Sequence, residues 1–164
     1  MARLVLVGLP ATGKTTVARA VGEKLGCGVV DTDEVLASMV GASAPEHLRA
    51  VGETRFRVDE VAALSASVEG EVVVSTGGGV VETAVARSIL ISQVTLWLDA
   101  PDDVLVARLD GGDRPLLAGD ARTALVNLRA RRTAWYREVS RARIDAARPL
   151  EEVVDHVLRA MMAP

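Results

Sequence analysis

Lysine is almost missing from this 164-residue chain, aromatic residues come to 2%, and there is one cysteine. Each shortage excludes something. A single cysteine, Cys27, rules out an internal disulfide, and with only His47 and His156 beside it there is no zinc-ligand constellation. Cys27 is read as a small packing residue. With so few aromatic rings the core has to be assembled from Val, Leu, Ala and Ile, which suits a parallel sheet covered on both faces. Acids and bases alternate along the sequence and sum to −3, so no basic stripe exists to track a nucleic-acid backbone and no nucleic-acid partner is expected. The apolar runs fall far short of a bilayer span, and Met1-Ala2-Arg3 enters a hydrophobic stretch without a signal-cleavage pattern. No membrane association is expected, the expected location is cytoplasmic, and in the absence of an interface signal the default expectation is a monomer.

What is present is an alternation of short Val/Leu runs with helical periodicity, on a length that fits one domain over residues 1–164. The runs Leu4 to Val7, Val29-Val30, Val72 to Val74 and Val94 to Leu98 read as strands, and Ala142 to Ile144 as a last short one. Helical stretches fall at about Gly13 to Leu25, Glu34 to Met39, Pro45 to Val68, Thr83 to Leu90, Pro101 to Leu109, Arg122 to Val139, and from Pro149 onward. Crossovers of this length imply parallel strands and a three-layer α-β-α fold. Residues from about 110 to 120, rich in glycine and containing Pro115, fit either a mobile lid or an ordinary surface connection.

The first strand runs straight into Gly8-Leu9-Pro10-Ala11-Thr12-Gly13-Lys14-Thr15, and Gly13 opens an amphipathic helix. This is the strand–loop–helix setting in which Gly-x-x-x-x-Gly-Lys-Thr binds phosphates. Loop N–H groups, with those of Gly8, Ala11, Thr12, Gly13 and Thr16 among them, and the positive helix end can converge on ATP phosphate oxygens. Lys14 can reach the β and γ phosphates and Thr15 can ligate Mg²⁺. Lys14 and Lys24 are the only lysines in a chain that otherwise uses arginine. The loop therefore keeps a compact ammonium where a planar guanidinium would not fit between phosphates.

Two further features stand at the C-terminal ends of strands, the edge where open α/β sheets bind ligands. Asp31-Thr32-Asp33 follows Val29-Val30, and the two carboxylates can divide their work, one supporting the metal through water and the other meeting an acceptor hydroxyl. Capping of the next helix is the alternative. Gly77-Gly78-Gly79 follows Val72 to Thr76, and three glycines in a row point to backbone lying close against something, a plain turn being the other possibility.

In order along the chain, the phosphate loop is followed by Gly41-Ala42-Ser43, Gly52-Glu53-Thr54-Arg55-Phe56-Arg57, Gly77-Gly78-Gly79, Arg114-Pro115-Leu116-Leu117 and Arg132-x-x-x-Tyr136-Arg137. Taken together, these resemble the shikimate kinase family over essentially the whole chain. The resemblance implies a nucleoside monophosphate kinase-like P-loop fold with a five-stranded parallel sheet, a substrate-binding segment at about 33–62 and a lid at about 110–120. It also implies Mg²⁺- and ATP-dependent transfer of a phosphoryl group to the 3-hydroxyl of shikimate. Asp33 would contact the acceptor hydroxyls, Arg57 and Arg137 its carboxylate, and the Gly77–Gly79 backbone would add contacts. Lys14 and Arg114 would neutralise charge on the transferring phosphoryl group, Glu60 would orient Arg57, and Arg108 with Arg148-Pro149 would flank the adenine.

The chain departs from the family pattern at Ala11, which stands where glycine is usual and is expected to adopt ordinary dihedrals. Leu48 replaces an aromatic pocket residue, and Ala44 and His47 stand where Ile is common. His47 is expected as a half-exposed helix residue without a carboxylate partner. Trp97 and Trp135 are expected in the core or the pocket wall. Two alternatives stay open on sequence: a related kinase acting on gluconate or a nucleotide, and an ATP-binding regulatory module without turnover.

Overall fold

A computed structural model describes residues 1–110 and 120–163. Among these, β1 (Leu4–Val7), β2 (Val29–Asp31), β3 (Val73–Ser75), β4 (Thr95–Asp99) and β5 (Ala142–Asp145) form one sheet in the order β2-β3-β1-β4-β5. Every pairing is parallel. β1, β3 and β4 are buried along their whole length, which is why they read as unbroken apolar runs instead of alternating ones. The chain leaves β1 toward β2 and β3 on one side and returns to β4 on the other. The C-terminal end of β1 is therefore the switch point of the sheet, where a crevice opens between diverging crossovers.

Helices cover both faces. On one, α1 (Lys14–Leu25) packs against α8 (Leu150–Met162); on the other, α5 (Ala84–Ile91) sits beside α4 (Glu53–Ser67) and α7 (Ala121–Val139). The main core is Val, Leu and Ala from the three central strands and these helices, with Trp97 and Tyr136 stacked inside it. α6 (Asp102–Asp110) lies on α7. A second, small core of Leu36, Phe56 and Ala63 ties α2 (Thr32–Val40) to α4, with Ala44 at the start of α3 (Ala44–Val51) packed on it.

The single helix expected from Pro45 to Val68 is two. Gly52 sits at φ 79°, ψ 167°, a conformation essentially restricted to glycine, and breaks the ladder between α3 and α4. α3 begins with a reciprocal capping box between Ser43 and Glu46, Pro45 being tolerated in its first turn. The hydrophobic period runs through the break, so only the glycine marks it. The remaining helices and strands stand within a few residues of their expected bounds.

Candidate active site

The phosphate loop occupies the switch point. A Cβ on Gly8 would stand 2.3 Å from the Leu98 carbonyl oxygen, so only glycine lets β1 pass that close to β4 before turning. Lys14 opens α1, is nearly buried, and its Nζ donates to the Gly8 and Leu9 carbonyls at 2.9 Å each. Thr12 Oγ1 donates to Leu9 O at 2.9 Å and stiffens the turn. Ala11 does not take ordinary dihedrals. Its φ is 65°, the one left-handed non-glycine among the described residues. The loop geometry outranks the preference of the residue, at a cost of about 1–2 kcal/mol.

Asp31 both caps a helix and belongs to the site, through different oxygens. Oδ1 accepts from the Asp33 backbone N–H at 3.0 Å and caps α2, while Oδ2 accepts from Thr15 Oγ1 at 3.0 Å. Thr15 Oγ1 also lies 3.1 Å from Ser75 Oγ. Ser75 was not singled out in the sequence, although it pairs in register with Asp31 at the end of the neighbouring strand. Thr32, between the two aspartates, is buried and accepts from the Gly77 N–H at 3.0 Å, which fixes the glycine run against α2.

The tips of three polar side chains lie against the three glycines. A Cβ on Gly77 would stand 2.7 Å from Asp33 Oδ1, one on Gly79 2.5 Å from Arg57 Nη1, and one on Gly78 3.2 Å from Arg132 Nη1. Arg57 Nη1 donates to Glu60 Oε2 at 2.7 Å and to Gly79 O at 3.2 Å, and its Nη2 lies 3.7 Å from Glu53. Burial pushes the Glu60 carboxyl above the usual glutamate range, opposed by the Arg57 charge beside it. Tyr136 is buried, and the loss of solvent pushes its hydroxyl up, so that it stays protonated and donates to Gly78 O at 2.6 Å.

Arg137 is not brought to this place. It is exposed on α7, whereas Arg132 is buried and lines the cleft. Five residues separate them, which turns the side chain about 140° around the helix. Leu125, Arg132, Tyr136 and Val139 follow the spacing of one buried face and are all buried, so the rotational phase of α7 is what separates Arg132 from Arg137.

Asp33, Lys14, Thr15, Thr16 and the glycine run line one cleft of about 760 Å³. A smaller one of about 270 Å³ adjoins it over the start of α1 and is walled by Arg108, Arg148, Leu150 and Val153. Arg108 borders both clefts, donating to Ala11 O at 3.2 Å and Ala146 O at 2.7 Å. Pro149 is the residue before α8 and does not line the smaller cleft; its neighbours Arg148 and Leu150 do. Arg114 and most of the expected lid, residues 111–119, lie outside the described residues.

His47 does have a carboxylate partner: its Nε2 is 2.7 Å from Asp59 Oδ2, which Arg55 also binds at 3.0 Å. The period-based reading missed this pair because α3 folds back on α4 only after the Gly52 break. Leu48, on the same helix, is exposed at 37%.

A parallel α/β sheet with a phosphate loop at its switch point, an aspartate at the next strand edge and arginines facing it across a glycine run defines a small-molecule kinase of the P-loop class. The shikimate kinase family model matches residues 10–162. The chain is 38% identical over 164 residues to a shikimate kinase of Gloeobacter violaceus, covering 98% of this chain and 92% of that one. It is 36% identical over 157 residues to one of Corynebacterium jeikeium, covering 93% and 85%. The structure of a shikimate kinase from Acinetobacter baumannii in complex with shikimate superposes with a TM-score of 0.84 at 28% identity, over 98% of this chain and 94% of that one. The chain belongs to the shikimate kinase family, enzymes with ATP as phosphoryl donor, and this favours shikimate over gluconate or a nucleotide as acceptor and an enzyme over a regulatory module. No helix among the described residues is long and apolar enough to cross a membrane.

Proposed function

We propose that this chain transfers the γ-phosphoryl group of ATP to the 3-hydroxyl of shikimate, with Asp33, Arg57 and Arg132 holding the acceptor. The observation that carries this assignment is the convergence of those three side chains, from α2, α4 and α7, on the glycines Gly77 to Gly79. A planar carboxylate flanked by hydroxyls matches two guanidinium groups on one side and a hydrogen-bond-accepting carboxylate on the other. Asp33 orients the attacking hydroxyl and takes its proton as the O–P bond forms. Lys14, seated over the loop carbonyls, is within reach of the β and γ phosphates as bridging charge builds toward ADP. Arg114 keeps the phosphoryl-neutralising role that its motif suggests. Arg108 and Arg148 flank the smaller cleft, where the adenine would lie.

The donor set at the loop suits Mg²⁺. Thr15 Oγ1, Asp31 Oδ2 and Ser75 Oγ are hard oxygens gathered within hydrogen-bond distance, too few for a protein cage and enough for an ion that keeps water and phosphate ligands. Bound there, Mg²⁺ would offset the negative charge of the phosphate oxygens.

A coupled ADP-release assay comparing shikimate, gluconate and nucleoside monophosphates at equal concentration tests the assignment, and ADP release is expected with shikimate. Arg132→Ala should raise the shikimate KM by about tenfold or more, as loss of a charged hydrogen bond implies, while Arg137→Ala stays within about twofold. Folded protein giving no shikimate-dependent ADP would overturn the function. Reversed effects of the two arginine variants would overturn the site.

A further inference from the structure

Glu82 closes the 3₁₀ turn Val80–Glu82 that follows the glycine run, and its side chain is only 4% exposed. Such a buried carboxylate is costly unless its oxygens are taken up. Here both are, by consecutive residues of α7: Oε1 accepts from Arg132 Nε at 2.8 Å, and Oε2 pairs with Arg131 Nη2. Arg131 extends the chain of charges to Glu53, 3.6 Å away, which also faces Arg57.

We propose that Glu82 is a positioning residue for acceptor binding: it grips Arg132 by the Nε edge and leaves the Nη edge turned into the cleft for the acceptor carboxylate. This rests on the reading that Arg132 binds that carboxylate. A guanidinium offers two edges capable of bidentate binding, and a long arginine side chain left to itself samples many rotamers. The structure distinguishes the edges. Glu82 occupies the Nε side, while Nη1 lies against Gly78, where a Cβ would come within 3.2 Å. Since the second Glu82 oxygen is engaged by Arg131, Glu82 does not compete for the Nη fork, and the Glu82, Arg131 and Arg132 group keeps one positive charge in excess. The same short turn joins the glycine run to Glu82.

Initial rates for Glu82→Ala, Glu82→Gln and Arg132→Ala, and for the Glu82→Ala/Arg132→Ala pair, separate this role from a structural one, with shikimate, its methyl ester and ATP each varied. Glu82→Ala is expected to raise the shikimate KM about tenfold, with kcat and the ATP KM within about twofold and the KM of the ester, which lacks the anionic group, little changed. Glu82→Gln retains an oxygen that can accept from Arg132 Nε, so it should fold even where the alanine variant does not and give a rise of about threefold. On the Arg132→Ala background, Glu82→Ala should add less than about twofold, because the two act as a unit. Full additivity in the pair, an equal rise in the ATP or ester KM, or an unchanged shikimate KM in both Glu82 variants would overturn the proposal. An unchanged shikimate KM in Arg132→Ala alone would show instead that the reading of Arg132 is wrong, and the Glu82 proposal would fall with it.

Discussion

Ala11 holds a left-handed conformation, φ 65°, at the mouth of both clefts, where its carbonyl accepts from Arg108. A Cβ in that conformation meets the following carbonyl oxygen, and glycine would remove the clash at the expense of a larger unfolded-state entropy. The steric term is the larger, so Ala11→Gly should stabilise the protein by about 0.5–1 kcal/mol in urea unfolding, with unchanged slope. A destabilised variant would mean that the loop does not hold this conformation in solution. The places of five residues were legible at this scale: Gly8 and Asp31 stand at strand ends, Lys14 and Thr15 open α1, and Asp33 lies in the first turn of α2. The inward placing of Arg132 was not, because α7 is crowded with arginines and which of them turns inward depends on the rotational phase of a helix. Ser75 was not either, because a lone serine after a strand carries no signal until its neighbour across the sheet is known.

Between elements, the segment proposed to bind the acceptor depends on how α3 is fastened to α4. None of the α3 residues is buried, so its attachment has little apolar area to draw on and leans on the contact of His47 with Asp59. The Arg55 guanidinium, and after it His47, hold the Asp59 carboxyl below the usual aspartate range. A depressed acid pKa contributes stability that is complete above the unfolded-state aspartate value and is lost as pH falls through the folded value. Wild type should therefore melt above Asp59→Asn near pH 6, with the gap closing as pH drops below the ordinary aspartate range. Thermal unfolding of both across pH 2–7 measures this, and a gap independent of pH would show that Asp59 acts by packing alone. The parallel pairing and the three layers followed from the spacing of Val-rich runs, because crossovers of this length suit parallel strands; the order β2-β3-β1-β4-β5 did not, since spacing does not say which strands are neighbours. The division of α3 from α4 did not, since Leu48, Val51 and Phe56 continue a helical period across Gly52.

At the scale of the whole molecule, the proposed acceptor site draws on parts that no single element provides: Asp33 on α2, Arg57 on α4, and Arg132 on α7 beside the glycines after β3. The proposed ATP side rests on β1, α1 and the start of α8 instead. A ligand bound only by the folded arrangement stabilises it by about 2.7 kcal/mol at a hundred times its Kd. For a chain of this length each kcal/mol moves the melting temperature by about 2–4 °C, so saturating shikimate should raise it by about 5–10 °C. Because the two ligands hold different elements, Arg57→Ala should abolish most of the shikimate-induced shift while leaving that of ADP in place, as differential scanning fluorimetry can show. Loss of both shifts together would make Arg57 a support of the fold, and retention of the shikimate shift would remove Arg57 from the acceptor site.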